Sequence, residues 1–290
     1  YVMASAPYPR QHFPAGVGGR LSTALALCLA GLLLALPSAA ETRRVQGLAG
    51  VQSVQIFGAV EVEISQGPEA ELLFRGEESR LSPPPFYRSE NTLVLGRSAE
   101  APERNIGGIQ YRLTLPSLEA LQVLGSADVY LRPLETALLR VTLEGSADLR
   151  LFELTAERAE FSLRGSGDLH VARLQVDDLQ LSLAGSGDLM LGEVQARWLR
   201  ATINGSGDIA VTEAGWSDRL DVNVLGSSDA DLRGLDGTNA EVNIIGSGEV
   251  SLGVLEALEA NILGSGDVVY RGEPQLEQRI IGSGSLSRKP

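Results

Sequence analysis

The sequence predicts an all-β fold: a parallel β-helix, or solenoid, with about 20 residues per coil behind an irregular N-terminal β cap. Three observations carry that prediction. The tetrapeptide Gly-Ser-x-acid begins at Gly125, Gly145, Gly165, Gly185, Gly205, Gly226, Gly246 and Gly264, with a frayed copy at Gly282, so the spacings are 20, 20, 20, 20, 21, 20, 18 and 18 residues. Around each copy apolar and polar residues alternate with a period of two, the mark of half-buried strands, and nothing recurs at three and four as a helix requires. A composition of 43% hydrophobic residues and 33 glycines supplies both a core and many tight turns.

Residues 1–40 read as a secretory signal peptide. Arg10 and Arg20 precede the apolar run Leu21 to Leu36, no acidic residue stands before Glu41, and Ser38-Ala39-Ala40 places small residues at positions −3 and −1 of a cleavage site. The run of about 16 residues falls short of the roughly 20 that span a bilayer, which favours cleavage over an uncleaved anchor. Cys28 lies inside the run behind Leu27, where a lipoprotein signal needs a small residue, and Met3 is the candidate true start. Cleavage removes two of the 24 basic residues and none of the 37 acidic ones, leaving a net charge of −15. Such a surface repels phosphate backbones and anionic lipid, which argues against nucleic acid and direct membrane binding. The only cysteine goes too, so the exported chain has no disulfide or thiolate metal site and depends on packing. No second apolar segment is long enough to cross a membrane.

Residues 41–119 are read as an N-terminal β cap covering the first coil. Val54 to Ile64 alternates like the later strands, with Gly58 in place of a full corner, and Leu72 to Phe74, Leu93 to Leu95 and Ile109 to Leu115 form further short strands. Pro83-Pro84-Pro85 and Ala101-Pro102-Glu103 between them read as loops. A solenoid needs such a cap because an open end exposes unpaired strand edges.

Residues 120–290 are the repeat solenoid. Two residues before each corner glycine stand Val123, Leu143, Leu163, Leu183, Ile203, Val224, Ile244, Ile262 and Ile280; four after it stand Val129, Leu149, Leu169, Leu189, Ile209, Ala230, Val250, Val268 and Leu286. Further apolar columns lie four before and six after, and a fifth lies nine after: Leu134, Leu154, Leu174, Val194, Ala214, Leu235 and Leu255. Columns that stay apolar in every repeat require coils stacked in register, each lending its stripe to one core. Parallel strands about 4.8 Å apart satisfy this. The distance across the corner never changes. From the fifth column to the next strand it varies among five, seven and eight residues, so a tolerant loop is expected there, and any binding specificity with it.

The first corner residue is always glycine, which implies a positive φ. The third is Gly, Ala or Ser, a demand for small size. The serines would set hydroxyls in a row down the stack. The fourth is Asp128, Asp148, Asp168, Asp188, Asp208, Asp229, Glu249 and Asp267, then Ser285. Eight carboxylates on one edge invite a calcium site, since calcium takes six to eight oxygens. Against it, calcium-binding repeat toxins use a nine-residue period with two glycine-rich turns per coil, and this sequence has neither. The scaffold reading is that each aspartate accepts N–H bonds within its own turn. Neighbouring carboxylates repel by only about 1 kcal/mol in water, so the row needs no metal.

The sequence offers no catalytic residue, no cofactor-binding residue and no metal ligand set, and it is not expected to be an enzyme. His170 is the only histidine beyond the signal and falls at an outward strand position; Lys289 is the only lysine. The Gly-Ser-Gly-Asp corners are followed by strands rather than by a helix N-terminus, so they are not phosphate loops. A polysaccharide-active β-helix would require one coil to differ from its neighbours, yet every coil repeats the same acid. Trp198 and Trp216 lie on the variable side; packing is the expected role, with sugar stacking the alternative.

The run of corners, closing with Gly264-Ser-Gly-Asp-Val-Val-Tyr-Arg-Gly-Glu-Pro274 and Gly282-Ser-Gly-Ser285, together with Val54 to Ile64, resembles the GIN domain, a family of bacterial exported proteins described as an autotransporter adhesin head. The resemblance spans about residues 50–287. It implies a right-handed parallel β-solenoid and an exported location, in the periplasm, at the outer membrane or outside the cell. It carries over no catalytic or ligand residue. The function expected is that of a noncatalytic envelope or surface module binding a protein or glycan partner, with a calcium-dependent solenoid as the alternative and a polysaccharide-active enzyme as the remote one.

Overall fold

The computed structural model describes residues 40–289; residues 1–39 of the predicted signal peptide, with Cys28, lie outside the described residues. Within them the chain is a β-solenoid of about 8 turns with ~20 residues per turn. Its strands are β1 (Glu41–Val45), β2 (Ser53–Gly58), β3 (Glu61–Gln66), β4 (Glu71–Gly76), β5 (Phe86–Ser89), β6 (Thr92–Leu95), β7 (Gln110–Leu115), β8 (Ala120–Gly125), β9 (Asp128–Leu131) and β10 (Leu134–Gly145). There follow β11 (Asp148–Gly165), β12 (Leu169–Gly185), β13 (Leu189–Gly205), β14 (Ile209–Val211), β15 (Gly215–Gly226), β16 (Ala230–Gly246), β17 (Glu249–Gly264), β18 (Asp267–Arg271), β19 (Gln275–Gly282) and β20 (Ser285–Arg288).

From β8 onward every pairing is parallel and the corner glycines stack one on the next: Gly125 on Gly145, Gly145 on Gly165, and so on to Gly264 on Gly282. The expected columns therefore coincide in space. Side chains two before and four after each glycine are buried as far as Ile262 and Val268. An inward column six before the glycine escaped the sequence reading: Leu139, Ala159, Leu179, Leu199, Leu220, Ala240 and Leu258 are all buried. The same period of two predicts it once the strand is extended by one more step.

The side opposite the corner needs a correction. In most of the 20-residue coils no loop is present there: β11, of 18 residues, and β12 and β13, of 17, run unbroken from one corner to the next. Their polar residues form a solvated strand face, with charges matched between coils, as in Arg173 to Glu153 at 3.3 Å and to Glu193 at 3.2 Å, and Arg158 to Asp178 at 3.1 Å. Exposed pairs of this kind add little energy but oppose slippage of the register. Elsewhere the strand is broken at Arg132 and Pro133, between β18 and β19, and where the repeat length changes. The 21-residue coil is interrupted between β14 and β15, and the shift to 18 residues appears as register irregularities between Leu232 and Asp236 and between Gly237 and Asn239. The fifth apolar column fails at those two places. Ala214 is exposed, with Gly215 in register with Leu235, and Leu255 is 60% exposed while its neighbour Val254 is buried.

The N-terminal segment is partly solenoid and partly cap, and its spatial order differs from its chain order. β2 and β3 form a coil that pairs in parallel with β8 and β9 on one side and with β6 and β7 on the other. The chain thus builds one coil, passes beyond it to build another, then returns to start the repeats. Three antiparallel pairings close this end: β4 on β7, β1 on β4, and β5 on β6. An aromatic plug fills the core beneath, with the Phe74 and Phe86 rings 5.3 Å apart and Phe74 and Tyr111 6.4 Å apart. The Tyr111 hydroxyl donates to the Pro85 carbonyl at 2.7 Å and accepts from the Gly96 N–H at 3.1 Å; its burial pushes its pKa well up, so it stays neutral.

Candidate functional site

The corner is the most repeated chemistry in the chain. Its first glycine has φ between 112° and 142° in every repeat from Gly125 to Gly282. A Cβ at Gly185 would stand 2.1 Å from the Gly165 carbonyl oxygen, so both the torsion and the approach of the next coil demand glycine. The serines face solvent, and the bond each corner makes runs from the serine backbone N–H to the glycine carbonyl one coil below, as in Ser166 to Gly145 at 2.8 Å. Chain position, rather than a row of hydroxyls, joins these corners.

The corner acids are exposed, Asp267 partly so, and most of them bond between coils rather than within their own turn. The Oδ1 atoms of Asp148, Asp168, Asp188 and Asp208 accept the backbone N–H of Asp168, Asp188, Asp208 and Asp229 at 2.8–3.0 Å, and Asp229 accepts that of Glu249 at 2.8 Å. The longer Glu249 turns away: its carboxylate accepts from Ser251 Oγ at 2.9 Å, and the Asp267 N–H goes instead to the Gly248 carbonyl at 3.0 Å. The ladder resumes where Ser285 donates to Asp267 Oδ1 from both its N–H and its hydroxyl.

This donor set does not fit calcium. Each corner presents one carboxylate, and at Asp148, Asp168, Asp188, Asp208, Asp229 and Asp267 one of its oxygens already serves a backbone N–H, whereas calcium needs six to eight oxygens converging on a point. Among the described residues no three acidic, histidine or cysteine side chains are grouped as a metal would require.

His170 is exposed, between Arg150 and Met190 in register. Trp198 and Trp216 are part-exposed, and Trp198 is engaged. Its indole N–H donates to Asp221 at 3.0 Å, with the Arg200 guanidinium 4.5 Å and that of Arg219 5.8 Å from its ring centre. Asp221 also accepts from Arg219 Nε at 2.9 Å, a bond that raises the Arg219 pKa further. Trp198 therefore serves a surface ion-pair cluster, neither core nor loop packing.

The least self-sufficient surface lies beside the constrained corner, where the sequence reading did not look. Leu225, Ile245, Leu263 and Ile281, each one residue before a corner glycine, are in register on successive coils and stand 47–53% exposed. Beside them runs an amide ladder: Asn243 donates to Asn223 and Asn261 to Asn243, each at 3.1 Å. Beyond it on the same face are Asp221, Glu241, Glu259 and Glu277. Earlier in the stack the column runs through the half-buried Phe57 and Leu124 and then Glu144, Arg164, Ala184 and Asn204, so four exposed aliphatic residues in succession occur only in the last four coils. The signal was present as four successive aliphatic residues at an outward strand position.

Comparison with known proteins places this architecture. Among curated proteins none matches the chain. Solved structures do: a "putative adhesin" from Parabacteroides distasonis (TM-score 0.65, 18% identity, covering 87% of this chain and 98% of that one) and a "putative adhesin" from Parabacteroides merdae (0.64, 16%, 88% and 98%). A "putative lipid binding protein" from Parabacteroides distasonis is similar too (0.65, 22%, 88% and 98%). At these identities the likeness is one of fold. The sequence itself matches the family described as "Putative auto-transporter adhesin, head GIN domain" over residues 51–215 and 159–274, which together span most of the chain, and the protein therefore belongs to that family.

Proposed function

We propose that this protein is an exported, noncatalytic binding module of the cell envelope or surface, which holds a protein or glycan partner against the exposed strand face of its last four coils. The observation that carries this reading is the strip of Leu225, Ile245, Leu263 and Ile281, half exposed and in register beside an amide ladder. Contiguous exposed aliphatic rows are uncommon on soluble surfaces and mark contact sites. The amides and acids alongside supply the polar rim that such contacts use. Repetition of one corner in every coil supports a scaffold rather than a reaction centre, and the family description and the adhesin names of the similar structures point the same way. The net negative charge directs the partner away from nucleic acid. No helix among the described residues is long and apolar enough to cross a membrane.

The test is retention of the purified protein on envelope material from its own cells, beside a variant carrying Leu225→Asp, Ile245→Asp and Leu263→Asp. Retention should fall about tenfold or more in the variant, the equivalent of ~1.4 kcal/mol of contact. Protease-treated and periodate-treated material separates a protein from a glycan partner. Equal retention of both proteins on all three materials would remove the strip as the binding face.

A further inference from the structure

The two ends of the solenoid are unlike. The N-terminal end is closed by antiparallel strands and an aromatic plug. Among the described residues nothing covers the C-terminal coil. β19 pairs with β17 and, among the described residues, with nothing on its other side. Its inward residues Leu276, Gln278 and Ile280 lie in register with the buried Leu258, Ala260 and Ile262, yet Leu276 is 45% exposed and Gln278 is exposed. Alternate N–H and C=O groups along such an edge point outward unpaired, a template for another strand.

The sequence of this edge is self-complementary. In an antiparallel pairing of β19 with a second β19, facing residues must share a face, so the two-fold axis passes through a residue. Centred on Glu277 or on Arg279, the pairing sets like charges against each other. Centred on Gln278, it places Leu276 against Ile280 on the inward side, Glu277 against Arg279 on the outward side, and the Gln278 amide against its copy. Glu277 and Arg279 make no ion pair or side-chain hydrogen bond among the described residues, although most neighbouring arginines are matched, such as Arg271 with Asp236 and Arg288 with Glu273. The arriving arginine would also sit beside the acid column of Glu241, Glu259 and Glu277. A contact that uses the same patch on both copies closes on itself, and the closed N-terminal end prevents growth into a fibre.

We propose that the chain forms a tail-to-tail homodimer through antiparallel pairing of β19 with β19 of a second copy, Gln278 facing Gln278. The occupant is argued from this charge and apolar complementarity, independently of the binding face proposed above.

The test is sedimentation equilibrium of the processed protein recovered from cells, at micromolar concentration. The wild type should show twice the mass of one chain. Glu277→Arg and Arg279→Glu should each return it to one chain mass, and the double variant Glu277→Arg/Arg279→Glu should restore the dimer, because the opposed charges are exchanged. Gln278→Cys should cross-link to its own copy on oxidation, since residues opposed across an antiparallel pair lie within the reach of a disulfide, whereas Gln275→Cys should not. A monomeric wild type, a dimer that survives both single reversals, or a double variant that stays monomeric would each overturn the proposal.

Discussion

Replacing Gly185 by alanine isolates what the corner requires of the stack. Two penalties coincide there. The residue has φ +140°, where a side chain costs about 1–2 kcal/mol. The added Cβ would also lie 2.1 Å from the Gly165 carbonyl oxygen, a backbone atom that cannot swing aside. The coils must then part locally, which strains the bonds from Ser186 N–H to Gly165 and from Ser206 N–H to Gly185, both 2.9 Å. Overpacking of this kind costs about 1–3 kcal/mol, and each weakened hydrogen bond about 1 kcal/mol. The expected destabilisation is therefore about 4–7 kcal/mol. Gly47→Ala is the control: its φ is also positive, at +83°, but nothing lies within 4 Å of the added carbon, so only the torsional cost of about 1–2 kcal/mol remains. Urea unfolding followed by circular dichroism measures both. Because solenoids can unfold piecewise, amide exchange should show the loss of protection centred on the coils flanking Gly185. A Gly185→Ala protein no less stable than Gly47→Ala would refute the claim that close coil approach dictates glycine.

Leu199→Ala, in the inward column six before a corner, should cost about 2–5 kcal/mol in urea unfolding, while Leu255→Ala at an exposed position should stay within about 0.5 kcal/mol of wild type. The thermal unfolding midpoint should be the same in calcium and in a chelator; a rise with calcium would show that the corner acids gather oxygens in a way their hydrogen bonds here do not. A hydrogen bond from Arg233 holds the Asp231 carboxyl below the usual carboxylate range. A depressed folded-state pKa contributes stability that is present above the unfolded value near 3.8 and is lost as pH falls through the lower folded value, so Arg233→Gln should flatten the stability curve on the acid side of pH 4 and leave it unchanged in shape near neutrality.

The sequence by itself determined the solenoid, its coil length, the corner glycines and most of the inward columns. Stacking imposes one demand on every coil, so the requirement is written repeatedly along the chain. Tertiary structure decided what is not repeated. Nothing local shows that β2 and β3 sit between β6–β7 and β8–β9, because the two pairings compete over nearly the same strand pattern and only the assembled stack selects both. Local sequence also fails at Ala214 and Leu255, where a coil longer or shorter than its neighbours must discard the difference and a residue of apolar column is carried outward. The corner aspartates were visible as a row, but their acceptor bonds run to the next coil, a relation between residues about 20 apart that depends on the closeness of two backbones. The exposed strip was legible as letters. It became a surface only when four coils of nearly equal length laid those side chains over one another.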